Sequence, residues 1–501
     1  MRGMYRFFEI LPGAAVWLSL IVLVLLSWKQ PFLVSIFFIV YSFFWLVRIF
    51  YLHLHLRFSF MKMREYLKID WLEKVKTLSD HEKSQALDWS DLRHLIVLPM
   101  YHEPFEVVNE TFLKIKAANY PKEKMIVVLS VEEKGGEAAL AVAHRAEEQF
   151  GDLFFKFLIT RHPAGLAGEI PGKGSNETWA VKAVKEKIID PLDVPYENVV
   201  VSVFDIDTQP FPEYFGRLAY LFLTVRRPQR SSYQPMPLFL NNIYEAPIFS
   251  RISSFFPTFW QMMQQSRSEQ LTTFTSQAMP LKALIEVDYW DKDRVSEDAL
   301  IFWRFYLHYE GDWRAVPMHY PVSMDANAAP TLWQTAKNLY KQQRRWAWGV
   351  ENLPYMLTGF IKHKKIPFRE KFFWTLIFAE GFYSWATAPF ILFTMGWLPV
   401  FLGSAAFNTT LLSYNLPKTI GFLMNFSVFG LAASAILSAM LLPPKPDWFK
   451  RRHYLIYFLQ WILTPIVIIF WSGVPAVDAQ TRMMIGGKYR LGFWLTPKSR
   501  R

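Results

Sequence analysis

The chain has two hydrophobic rhythms: long apolar runs towards both ends, and between them short runs separated by polar, helix-spaced stretches. Positions 11–28 are apolar, preceded by Arg2 and Arg6 and closed by Lys29. A second run covers 31–47 and fades at Tyr51. Each is close to the ~20 residues that a spanning helix needs. No small-residue cleavage pattern follows the first run and a second begins at once, which argues for spans and against a cleaved leader. From position 90 the pattern predicts strands at 94–99, 125–131, 153–160 and 199–204, with helices at 104–119, 137–150 and 175–189 between them. Such alternation implies a mostly parallel sheet with helices on its faces. Positions 208–330 are less regular and rich in Pro and aromatics, as expected of the acceptor half of the same domain.

Positions 331–355 predict an amphipathic helix with a basic face (Lys337, Lys341, Arg344, Arg345), suited to lying in a membrane interface. Three apolar blocks follow, at 371–407, 418–442 and 454–475. The first is long for one span and is interrupted by Glu380 and Pro389, so it reads as a span plus an interfacial or re-entrant piece. The expected division is therefore two N-terminal spans (1–58), an α/β domain (59–330), an interface helix (331–369) and a C-terminal membrane region (370–501).

Charge gives this arrangement a side. Arg48, Arg57, Lys62 and Arg64 follow the second run, against a lone Lys29 between the two. The positive-inside rule then puts the N-terminus and the central domain in the cytoplasm of a multi-pass plasma-membrane protein. Lys450, Arg451 and Arg452 should share that side, which requires two crossings after the domain. A full third crossing would put the basic tail outside, so either one crossing is miscounted or the last block is not a simple span. Apolar residues are 52% and aromatics 17% of the 501, too rich for an ordinary soluble enzyme. The net charge of +12 sits largely beside the apolar runs, which suits anionic membrane lipids, and nucleic acid is not an expected partner. There is no cysteine, which excludes disulfides, thiolate catalysis and Cys-ligated metals.

The candidate chemistry starts where the run Val199–Phe204 ends in Asp205-Ile206-Asp207. Carboxylates at i and i+2 on a strand's carboxyl end stand where α/β sheets bind ligands, and their mutual repulsion suits a cation. Mg²⁺ takes one or two carboxylates and completes its shell with phosphate and water. Tyr101, His102 and Glu103 close the first strand, and Glu132-Glu133 close the second. Gly172-Lys173-Gly174-Ser175-Asn176 opens a helix, where backbone N–H groups and Lys173 can hold phosphate. Ser296-Glu297-Asp298 opens another, and Gln342, Arg345 and Trp346 share one helix face at i, i+3 and i+4. Singly, each has a plain reading: an N-cap, a turn, an interface anchor.

In this order they resemble the membrane-integrated family 2 glycosyltransferases of GT-A fold, the group of cellulose, hyaluronan and chitin synthases. Asp205-Ile206-Asp207 is similar to the D-x-D element and Ser296-Glu297-Asp298 to T-E-D. Gln342 to Trp346 is similar to Q-x-x-R-W, Lys173 to Asn176 to K-x-x-N, and Pro99 to Glu103 to P-x-Y-x-E. The terminal stretch at 493–498 is similar to the end of several synthases. Glu132-Glu133 replaces a paired Asp, and Thr275 to Met279 stands where synthases carry a glycine-bearing acceptor loop.

The resemblance implies an inverting, metal-dependent hexosyltransferase. It would move a sugar from a UDP- or GDP-sugar to a growing polysaccharide and export the product. Asp207, aided by Asp205, would hold Mg²⁺ or Mn²⁺, and Asp298 would be the base. Tyr101, Glu103, Glu132, Lys173, Asp205, Gln342 and Arg345 would contact the nucleotide sugar, and Trp346 and Glu297 the acceptor. The alternatives are single-sugar transfer to a lipid-linked acceptor and a catalytically degenerate membrane scaffold.

Overall fold

The computed structural model describes residues 2–170, 172–492, 494 and 496–497. Phe493, Leu495 and Lys498 of the terminal stretch lie outside them. Eight strands form one sheet in the order β3-β2-β1-β4-β7-β6-β8-β5. They are β1 (Arg93–Met100), β2 (Met125–Glu132), β3 (Lys156–His162), β4 (Val199–Val203), β5 (Gln209–Pro210), β6 (Ser231–Phe239), β7 (Ala278–Pro280) and β8 (Arg314–Met324). The β3-β2-β1-β4 half is parallel, β7 is antiparallel between β4 and β6, and β8 runs parallel to β6. Along β1 the side chains alternate: Ile96 and Leu98 enter one core, Leu95 and Val97 the other. Both faces are covered, which is why these strands read as unbroken apolar runs.

One face is covered by α3 (Phe105–Ala117), α4 (Gly136–Phe150) and α6 (Tyr214–Thr224), the other by α5 (Lys173–Val184), α8 (Glu297–His308) and α10 (Asn352–Lys362). At one end of the sheet, α7 (Ile248–Gln265) and the tail of a long apolar helix pack on β6. The helix α9 (Leu332–Ala347) follows β8.

By length and apolar composition, five segments can cross a membrane: Gly3–Lys29, Pro31–Tyr66, Phe368–Phe393, Leu411–Leu441 and Arg451–Ile485. Their contacts give each a direction. The helix α1 (Arg2–Lys29) starts beside the domain, where Arg294 donates to the Tyr5 hydroxyl at 3.1 Å. The helix α2 (Pro31–Tyr66) returns and does not stop at position 58. Its Leu56, Phe60 and Met63 pack with Met236, Leu238 and Phe255, so the apolar helix runs on into the core of the domain.

The first half of α11 (Phe368–Phe393) lies against the domain, with Trp374 and Phe378 on Trp303. Its second half leaves the domain and is continued by Met395–Trp397 and Leu398–Leu402, which ends near Pro31. The helix α12 (Leu411–Leu441) returns, and Pro443 beyond it accepts from the Tyr244 hydroxyl at 2.7 Å.

The last segment turns back. It begins beside α7, where Gln460 accepts from Arg251 at 2.9 Å and Trp461 stacks on Phe259. It breaks at Ile469–Gly473, where Trp471 leaves helical geometry (φ −117°, ψ 17°) and Trp385 donates to Ser472 at 2.8 Å. Its final helix, α13 (Val474–Ile485), then descends along α1 until the Met483 carbonyl accepts from Arg6 at 2.8 Å. Both ends of this segment therefore lie beside the domain.

Candidate active site

Three elements far apart in sequence meet at Lys173. It opens α5, and its side chain is 8% exposed. Its ammonium lies 2.9 Å from Asp205 Oδ1, just beyond β4, and 3.0 and 3.1 Å from the two oxygens of Asp298 in the first turn of α8. Glu177, one turn along α5, is 3.4 Å away. Burial alone would discharge Lys173, but Asp205, Asp298 and Glu177 outweigh it and hold the ammonium well above the usual lysine range. Burial pushes the Glu177 carboxyl well up. Burial and then the neighbouring Asp298 charge push Glu297 up to about 8. The core of the site is thus the Lys173 ammonium between Asp205 and Asp298, flanked by Glu177 and Glu297, whose carboxyls are both shifted towards the protonated form.

Around that core the acids are held by specific donors. Thr275 donates to Asp205 Oδ2 at 2.9 Å. Thr273 and Gln277 donate to the Asp298 carbonyl at 2.7 and 2.8 Å, which fixes the start of α8. Asp207 is fully buried, accepts from the Asp325 backbone N–H at 3.0 Å, and its carbonyl accepts from Asn241 at 2.9 Å. Asn241 also donates to Asp325 Oδ1 at 3.0 Å. Among the described residues, no three His, Asp or Glu side chains converge as a ready-made metal cage.

A small cavity adjoins this cluster, lined by Phe239, Ser253, Asp325, Asn327, Gln342 and Trp346 among others. Gln342 accepts from Asn327 at 3.3 Å, and Trp346 packs between Phe239 and Phe274. Phe274 follows Thr273, which touches the Asp298 carbonyl, so the aromatic wall and the first turn of α8 are adjacent. Arg345 lies close enough to Glu297 to favour its ionised form.

The other expected nucleotide contacts stand at the carboxyl ends of β1 and β2, on the same edge of the sheet. Glu103 is buried and turned onto its own loop, accepting from the Tyr101 and His102 N–H groups at 2.8 and 3.1 Å. Glu132 faces His162 at 3.1 Å, and His162 faces Glu169 at 3.0 Å on its other nitrogen. Burial lowers the pKa of His162, but the two carboxylates outweigh it, and the net shift is upward. Asn176 bridges α5 to β2 by donating to the Ser130 carbonyl at 3.0 Å, a structural task.

Sequence reasoning missed Glu177, Asn241, Asp325 and His162. Glu177 had a signal, since it stands i+4 from Lys173. Asn241 and Asp325 had none, because only the β6–β8 pairing brings them to Asp207.

No family model matches this chain, and no curated protein matches it. Among solved structures it is similar to the mannosyltransferase PcManGT from Pyrobaculum calidifontis in complex with GDP-Man and Mn2+. That match has 14% identity, covers 83% of this chain and 99% of that one, and has a TM-score of 0.40. It is also similar to S. aureus TarS 1-349 (10% identity, 80% and 93% coverage, TM-score 0.35). The complex of TarS 1-349 with UDP-GlcNAc gives 12% identity, 72% and 95% coverage and a TM-score of 0.31. At such scores the overlap is too loose to transfer a residue.

Proposed function

We propose that this chain is a membrane-embedded inverting glycosyltransferase that moves a hexose from a UDP- or GDP-sugar to a growing polysaccharide. The observation that carries this reading is the meeting of Asp205, Lys173 and Asp298 within ion-pair distance, beside a cavity walled by Gln342 and Trp346. Asp298 stands at the start of a helix, where a carboxylate is favoured and can take a proton from an acceptor hydroxyl. The acceptor oxygen then bonds to the anomeric carbon as the bond from that carbon to the diphosphate breaks. The nucleoside diphosphate leaves with the electron pair, and Asp298 keeps the proton. Lys173, with Gln342 and Arg345 on α9, would grip the diphosphate. Tyr101, Glu103 and Glu132 would contact the nucleotide, and Trp346 with Glu297 the acceptor.

The donor set fits a hard divalent cation. Asp205 and Asp207 offer only oxygen, and acids outnumber bases around them, which suits an ion completing its shell with diphosphate oxygens. These two residues would hold Mg²⁺ or Mn²⁺, which when bound supplies Lewis-acid neutralisation of the leaving group. The basic loops gathered on the domain side support a cytoplasmic catalytic domain. Trp471 of the last apolar segment donates to the Ala336 carbonyl of α9 at 3.0 Å, and this contact between the cavity-lining helix and an apolar segment supports coupling of transfer to export.

The test is transfer by the purified full chain across UDP- and GDP-sugars with Mg²⁺ or Mn²⁺, with an EDTA control. Asp298→Asn should lower turnover by about 10²–10⁴-fold while leaving nucleotide affinity nearly unchanged. Full activity in that variant overturns the assignment of the base. A product ladder means polymer, whereas a single organic-extractable product means a lipid acceptor.

A further inference from the structure

Ser296 precedes α8 but does not cap it in the ordinary way. An N-cap serine normally accepts from the second or third helical N–H. Here its hydroxyl lies 2.7 Å from Glu351 Oε1 and donates to it. The same oxygen accepts from the Val295 and Ser296 N–H groups at 3.2 and 3.0 Å, and Oε2 accepts from Trp348 Nε1 at 3.0 Å. Four donors thus converge on one carboxylate, in a residue that is only 7% exposed. Glu351 closes the turn Trp348–Glu351, which continues α9 without a break. The joint is also rooted in the membrane bundle: Val295, Trp348 and Val350 share a core cluster with Val16, Ala386 and Ala476.

We infer that Glu351 is a positioning residue that sets the turn carrying Asp298 against the helix carrying Gln342, Arg345 and Trp346. The inference rests on the proposed role of Asp298 as base. Hydrogen bonds to a carboxylate are about twice as strong as neutral ones, and truncating the acceptor leaves its buried donors unsatisfied. The first turn of α8 would then shift, and a displacement of ~1 Å at a reacting group can cost about 10²-fold in rate.

Two readouts test this on the full-length protein in detergent. Glu351→Ala should lower kcat by about 10- to 100-fold. UDP and GDP should bind that variant within about threefold of wild type, since three of the four donors released belong to the turn before α8, so the shift falls on Asp298 while α9 keeps its place. Glu351→Gln, which keeps one acceptor oxygen, should recover part of the rate. Ser296→Ala, which removes one donor of four, should lower kcat in the same direction by less and covers the case of an unfolded Glu351→Ala. Amide hydrogen exchange across 294–300 should accelerate in Glu351→Ala while β1 and β2 stay protected. Wild-type kcat in Glu351→Ala overturns the inference, as does a kcat loss matched by an equal loss of nucleotide binding. Unchanged exchange across 294–300 overturns it whether or not the wild type is active. Absence of transfer by the wild type counts against the base assignment alone.

Discussion

Glu297 lies buried beside the charged Asp298, and its carboxyl is pushed up to about 8 from an ordinary value near 4.5. Between those two pH values the folded protein holds a proton that the unfolded chain has released. Folding stability must therefore fall as pH rises across this window, by at most about 1.4 kcal/mol per pH unit for one group. Glu177 is shifted the same way and adds to the slope. Glu297→Gln cannot ionise, so its thermal midpoint should decline less steeply than the wild type's between pH 5 and 8. Parallel melting curves for the two proteins would show that Glu297 is already ionised in the fold. At this scale the acids themselves were legible from their order along the chain, but their environments were not. Lys173 was legible as a phosphate ligand, but its place between Asp205 and Asp298 was not, because it is set by two contacts of 2.9 and 3.0 Å with distant residues.

The parallel strands were legible to within a few residues, because burial on both faces writes continuous β-branched runs such as Val199–Val203. The other half of the sheet was not. Its strand β6 carries Pro235 and Pro237, and β8 carries Pro317 and Pro321, each of which withholds a ladder N–H. Their pairing shifts register between Gln234 and Met236, and β7 has only three residues, so no periodicity survives. The amphipathic pattern of α9 is present, with Leu332, Trp333 and Lys337 exposed, and its remaining sides are packed. One side buries Thr335, Leu339 and Gln342, and the other meets α13 through Asp478. Asp478 accepts from Arg344 at 2.9 Å and Tyr340 at 3.0 Å, and from Arg482 of its own helix at 2.6 Å. Asp478→Ala should lower the thermal midpoint in detergent, at a cost of about 1–3 kcal/mol for the lost acceptor. Asp478→Asn, which keeps one acceptor oxygen, should lose less. Equal midpoints for wild type and Asp478→Ala would mean that the helix is held by its domain face alone.

For the whole molecule, sidedness is the consequence with most reach. We propose that α1, α2, α11 with its short continuation, and α12 cross the membrane while Arg451–Ile485 enters and leaves on one side, because both ends of that segment lie beside the domain. The sequence alone could not say this, because a re-entrant segment and a span have the same apolar composition. What separates them is the break at Ile469–Gly473 and the return of α13 along α1, where Trp17 donates to Thr481 at 2.9 Å. A chain without native cysteine allows a direct check. Single cysteines at Asp80 in the domain, Thr409 between α11 and α12, and Lys488 after α13 are all on exposed positions. In sealed vesicles of one orientation, a membrane-impermeant maleimide should label Asp80→Cys and Lys488→Cys from the same face, and Thr409→Cys only from the other. Labelling of Lys488→Cys together with Thr409→Cys would make the last segment a true fifth span. The contacts of Arg6 with the Met483 carbonyl and of Arg490 with Glu9 could not then form, because they require both chain ends to lie on the domain's face of the membrane.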